Sequence, residues 1–125
     1  MKEEFIVELD KLRFTQDYVK RTTVEAKKMI EHLMLTQGIE WRDHISSLKG
    51  VDSIVLEEMR KINLELPIIV KKSVKDDIYI VSNGVHTAYA YWERGRKVIR
   101  AELDINKSLG NEKLYTFQEL RVEDK

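Results

Sequence analysis

Apolar and polar positions set out most of the chain's elements before any residue is asked to do chemistry. Phe5, Val7 and Leu9 alternate with Ile6, Glu8 and Asp10, the two-residue period of a half-buried strand. A strand is predicted over about 4–9. Ala26, Met29, Ile30 and Leu33 then recur at helical spacing behind Thr22-Thr23-Val24-Glu25. That tetrad has the pattern of a capping box, in which a hydroxyl and a carboxylate satisfy the free amides of a helix start. The spacing predicts a helix over about 23–36, stopped by Gly38.

Helical signals continue from Ile39 to Leu64: Trp41, Ile45 and Leu48 share a stripe, Gly50 interrupts, and Val55, Met59 and Ile62 follow a cap at Asp52 or Ser53. Leu66-Pro67-Ile68-Ile69-Val70 is short, β-branched and opened by proline, which strands accept at their first position. It predicts a strand over about 67–72, and Ile78 to Ser82 predicts another over 77–82, joined to it by the polar turn Lys75-Asp76-Asp77. Asn83-Gly84 would suit a tight hairpin, but Val85, Ala88, Tyr89 and Trp92 repeat at i, i+3, i+4 and i+7. Gly95 stands where a helix would end, and Ile99, Ala101 and Leu103 then alternate. A helix over 85–94 and a strand over 97–103 account for this stretch best. After Asp104 the chain is polar up to Lys113, and Leu114 to Phe117 reads as a closing strand or a docking segment.

Length and composition narrow the class. The 125 residues, 42% hydrophobic and 35% charged, suit one domain with one core. No apolar run approaches the roughly 18–20 residues of a membrane span, and no signal-peptide pattern follows the charged opening residues, so a cytoplasmic protein without a membrane partner is expected. With no cysteine, disulfides, thiolate nucleophiles and cysteine-ligated metals are excluded. Lys plus Arg equals Asp plus Glu at 22 each, so a chain-wide positive field for nucleic acid is lacking. Locally, Arg94, Arg96, Lys97 and Arg100 form a basic cluster that offers a DNA-binding alternative, beside the reading of these residues as an ordinary solvated surface.

The run from Ile78 to Leu103, IYIVSNGVHTAYAYWERGRKVIRAEL, resembles the core motif of the ParB/sulfiredoxin superfamily. Gly84, Ala88, Ala90 and Gly95 fall at that motif's spacing, and Val7 to Gln16 and Leu66 to Val70 are similar to the family's opening strand and proline-led strand. The resemblance implies a small α/β (α+β) domain over about 1–105: a mixed sheet of about four strands with three to four helices. It further implies a helical insertion at about 37–65 and leaves a C-terminal tail at 106–125. The chain departs from the family where an arginine is usual and Thr87 stands, because threonine offers one hydroxyl in place of a fork of donors for phosphate. Val85 occupies the position of the sulfiredoxin cysteine, which rules out sulfinic-acid reduction. Chromosome partitioning is disfavoured as well, since the motif is poorer in arginine than the partition proteins'.

The first amides of a helix lack intrahelical partners and lie at the positive end of its dipole. A helix beginning at Gly84 would therefore present the amides of Val85, His86 and Thr87 to a phosphate, with Asn83 beside them, Gly84 letting the ligand approach, and Gln16 bonding a base or sugar. His86 would donate to the phosphate or carry a proton, the one catalytic candidate; its structural alternative is a bond to nearby backbone. Lys20 and Arg21 could add charge, and Glu25, Glu40 and Asp43 are the nominal carboxylates for a phosphotransfer step with a nucleotide and Mg²⁺. His32 and His44 lack a zinc spacing, so no metal site is expected. Trp41, Tyr79, Tyr89, Tyr91 and Trp92 could stack on bases, but at these positions aromatic residues more often build a core. The expectation is a nucleotide- or phosphate-ligand-binding domain. Two alternatives stand beside it, a DNA-binding or nuclease-like module and a non-catalytic interaction module, with a homodimer among the partners considered.

Overall fold

The computed structural model describes residues 3–62, 67–74, 76–104 and 113–124. The opening alternation becomes β1 (Glu4–Glu8), which runs antiparallel to β6 (Val98–Leu103) with Val7 opposite Ile99 and Phe5 opposite Ala101. These residues point to one face because side chains alternate along a strand. β6 in turn lies parallel to β4 (Ile68–Lys72), and β4 forms the expected antiparallel hairpin with β5 (Tyr79–Asn83). Lys75, in the turn assigned between them, lies outside the described residues.

The sheet has five strands, one more than the four expected, in the order β1-β6-β4-β5-β2. The additional strand is β2 (Leu12–Phe14), parallel to β5, with Leu12 and Phe14 fully buried. Three residues are too few for periodicity to register, and a tight turn at Leu9–Lys11 separates them from β1.

β3 (Tyr18–Lys20) leads directly into α1 (Arg21–Gln37), whose C-terminal cap is Gly38. The helix begins two residues before the start assigned from sequence, and its N-cap is Lys20, with no side-chain capping bond. Thr22 and Thr23 therefore sit inside the first turn rather than capping it. Lys20 is held in strand geometry by its pairing opposite Glu123, so the chain passes from strand to helix without a capping loop. A Thr-x-x-Glu capping box does form elsewhere, at Thr116 and Glu119, around the short turn Phe117–Glu119.

The segment read as two helices holds a 3₁₀ helix at Gly38–Ser47 and α2 (Ser53–Lys61). Asp52 caps α2 by accepting the Ile54 N–H at 2.8 Å. Ala26, Ile30 and Leu33 of α1 form a core with Trp41, Ile45, Met59 and Ile62, distinct from the core of the sheet. Trp41 and Met59 are wholly buried, and each such side chain stabilises the fold by about 2–3 kcal/mol. The segment expected to be an insertion is thus packed onto α1, while Ile39 and Ile54 stay exposed.

α3 (Val85–Glu93) covers the inner face of the sheet with Ala88, Tyr89 and Ala90 buried against Val7, Ile68, Val70 and Ile99. The described part of the C-terminal segment joins the same core. Phe117 and Leu120 are buried, Tyr115 pairs with Phe14, and β7 (Arg121–Glu123) runs parallel to β3 as a separate two-stranded sheet. The tail's residues 106–112 lie outside the described residues. Among the described residues, no helix is long and apolar enough to cross a membrane.

Candidate functional site

The passage from β5 into α3 turns on Gly84, at φ +108° and ψ 26°. A Cβ there would lie 2.5 Å from Cγ2 of Ile68 and 3.0 Å from its Cβ. The glycine is required because the turn packs on β4. That packing is a reason for the glycine separate from the approach of a ligand, the role expected for it from the sequence.

No side chain caps α3 at its N-terminus, and the amides of its first turn have no partner within the helix. They sit at one end of a cleft of about 300 Å³. Gln16, Asn83, Gly84, Val85 and His86 all line it, so five of the six residues proposed from sequence as ligand contacts converge. The sixth, Thr87, is buried one residue further along α3. The β2–β3 connection supplies Thr15 and Gln16, the end of β5 supplies Val81 and Ser82, and α1 supplies Lys27.

Lys27 was not singled out from sequence, and among the described residues it is the only basic side chain in this lining apart from His86. Its Nζ donates to Oγ1 of Thr87 at 2.6 Å. Burial pulls its pKa below the ordinary lysine value, an effect that Glu58 opposes from a distance. None of the ion pairs among the described residues involves Lys27. A signal was present: Lys27 lies three residues after Val24 and three before Ile30, on the row that α1 buries.

His86 has a defined state. Its Nε2 accepts the backbone N–H of Lys20 at 3.0 Å, so the hydrogen of the neutral ring is on Nδ1. Burial first, and then the charges of Lys27 and Lys20, lower its pKa from 6.5 to about 4. The ring is therefore neutral at physiological pH and accepts a backbone bond, the structural alternative weighed above. It can offer a hydrogen but is poorly suited to carrying protons near neutrality. Gln16 is oriented by donating its Nε2 hydrogen to the Tyr18 carbonyl at 2.6 Å.

The other candidates lie apart. Arg21 pairs with Asp124 at 2.6 Å, and Glu25 pairs with Lys28 at 3.6 Å. Glu40 and Asp43 are exposed on the 3₁₀ segment, His32 is exposed on α1, and His44 lies on the 3₁₀ segment. Among the described residues no carboxylate lines the cleft, and no metal-binding group of three or more histidines and carboxylates occurs.

The basic cluster is largely engaged. Arg96 and Arg94 approach the buried Glu31 at 2.6 and 3.5 Å, and Arg100 approaches Glu4 at 3.8 Å. The aromatic candidates pack as core: Trp92 stacks on Phe117 at 5.1 Å, Tyr79 tilts against Phe5 at 5.4 Å, Tyr89 is buried, Tyr91 is half-buried and Trp41 fills the second core.

No family model matches the chain, and no curated protein does. Among solved structures, it is similar to protein Atu1540 from Agrobacterium tumefaciens, with a TM-score of 0.54 and 15% sequence identity. That likeness covers 99% of this chain and 63% of the other. At this identity it bears on the fold alone.

Proposed function

We propose that this protein binds a small phosphate-bearing ligand, a nucleotide among the candidates, in the cleft at the start of α3. One observation carries the reading: the uncapped helix N-terminus and the half-buried Lys27 face a single cleft whose described lining contains no carboxylate. Helix amides and their dipole favour an anion. A lysine held away from water without a carboxylate partner gains from one too. Lys27 also stands against Thr87, the position at which the ParB/sulfiredoxin family usually carries an arginine. The cation absent from α3 is thereby supplied from α1.

The reading is of binding rather than phosphotransfer. Nε2 of His86 already accepts a backbone hydrogen, and the described lining provides no carboxylate to take a proton or hold Mg²⁺. A metal ion would have to arrive on the ligand's own phosphates. A thermal-shift and calorimetric screen of ATP, ADP, CTP, GTP and inorganic phosphate, with and without Mg²⁺, tests the proposal. A ligand that binds only the folded state raises the melting temperature. The expected result is binding that Lys27→Met weakens by about tenfold or more, the loss of one charge-assisted contact of about 1.5–3 kcal/mol. If none of the five probes binds, or if binding is unchanged in the variant, the reading is wrong.

A further inference from the structure

We infer that the C-terminal segment, residues 113–124, positions the two cleft walls that carry Gln16 and His86, so that ligand affinity is set by a strand far from the cleft in sequence. The inference rests on the ligand-binding reading for its consequence, but its structural part stands by itself. Three observations support it.

First, both flanks of the Thr15–Gln16 connection are held by this segment. Phe14 exchanges two backbone hydrogen bonds with Tyr115, at 2.9 and 2.8 Å, and the Arg121 N–H donates to the Asp17 carbonyl at 2.8 Å. The Arg121 guanidinium also reaches both carboxylate oxygens of Asp17 at 3.4 Å. Second, among the described residues β7 is the only strand that pairs with β3, in a two-stranded sheet. An isolated strand has no ladder to hold its geometry, so β7 fixes β3. Third, β3 carries the bonds that orient Gln16 and His86: the Tyr18 carbonyl accepts from Gln16, and the Lys20 N–H donates to Nε2 of His86. Loosening β7 would therefore release a contact on each side of the cleft together.

Coupling of this kind is reciprocal. A ligand bridging the α3 start and the Thr15–Gln16 connection must tighten the β3–β7 pairing by the same factor by which that pairing improves binding.

The test uses the full chain. Arg121→Pro removes the N–H that bonds Asp17 together with the guanidinium, and leaves Phe117 and Leu120 in the core. Arg121→Ala removes the guanidinium alone. Met59→Ala, in the second core, serves as a destabilised control outside the β3–β7 sheet. Amide hydrogen exchange and ATP affinity are measured on all four proteins. The expected result for Arg121→Pro is exchange at the Lys20 amide at least tenfold faster and ATP binding about tenfold weaker. Arg121→Ala should fall between it and wild type, and Met59→Ala should leave both readouts near wild type. ATP should also slow exchange at the amides of residues 121–123 in wild type.

Unchanged Lys20 exchange in Arg121→Pro would overturn the inference, as would a matching loss in Met59→Ala, which would mark the effect as global destabilisation. If wild type does not bind ATP, the cleft reading loses this ligand, and the Lys20 exchange rate still decides whether β7 positions the wall.

Discussion

Replacing Gly84 with alanine isolates the packing that allows α3 to start where it does. Two terms add. A side chain at φ +108° carries a backbone penalty of about 1–2 kcal/mol. A Cβ at 2.5 Å from Cγ2 of Ile68 forces a core shift, an overpacking penalty of about 1–3 kcal/mol. The expected loss is about 2–5 kcal/mol, a large part of the 5–15 kcal/mol by which domains are stable. At roughly 4 °C per kcal/mol for a chain of this length, the melting temperature should fall by about 8–20 °C. Urea unfolding followed by circular dichroism measures the loss directly. Gly95→Ala is the internal comparison, because Gly95 has φ +78° but a Cβ there would meet nothing within 4 Å. It should lose only the backbone term, about 1–2 kcal/mol. Combining Gly84→Ala with Ile68→Ala removes the methyl that clashes, so the double variant should lose about 1–2 kcal/mol less than the sum of the single losses. Equal losses for the two glycines, or strict additivity with Ile68→Ala, would show that the contact with β4 is not what requires the glycine.

The site and its surroundings support three more tests. Because the folded pKa of His86 is lowered to about 4 from 6.5, its contribution to stability is complete above pH 6.5 and is lost as pH falls toward 4. The unfolded chain binds the extra proton in that window, so unfolding free energy should drop between pH 7 and pH 4 through this group, by up to about 2 kcal/mol once solvent screening of the partly exposed ring is counted. Urea titrations at several pH values should show this slope and His86→Gln should flatten it, whereas an identical slope in the variant would count against a buried neutral ring. Lys27→Met removes a desolvated cation whose partner is a neutral hydroxyl, so its stability should equal wild type or exceed it by up to about 1 kcal/mol even as anion binding weakens; a marked loss of stability would mean the lysine is structural. Glu31→Gln should lose about 1–2 kcal/mol by weakening the contacts to Arg94 and Arg96, less than for a fully buried pair because both arginines reach solvent. Thermal melts would check it, and no change would mean the triad is not stabilising.

The sequence by itself determined the elements that have enough length to show a period: β1, α1, the β4–β5 hairpin, α3 and β6 are all visible in where apolar residues recur. It also determined the start of α3 as a candidate site, because helix geometry makes an uncapped N-terminus attractive to anions wherever it occurs. It could not show β2, β3 or β7, each three residues long, since strands of that length exist only by virtue of their partners. β3 is specified by Glu123 and its neighbours, which stand at the other end of the chain. The same holds for the site's chemistry. Gln16 and His86 were legible as polar residues at suitable places, but the neutral state of His86 follows from burial and from the Lys20 amide. Lys27 belongs to the cleft only because α1 packs beside α3, and distances across the fold are what a linear pattern does not contain.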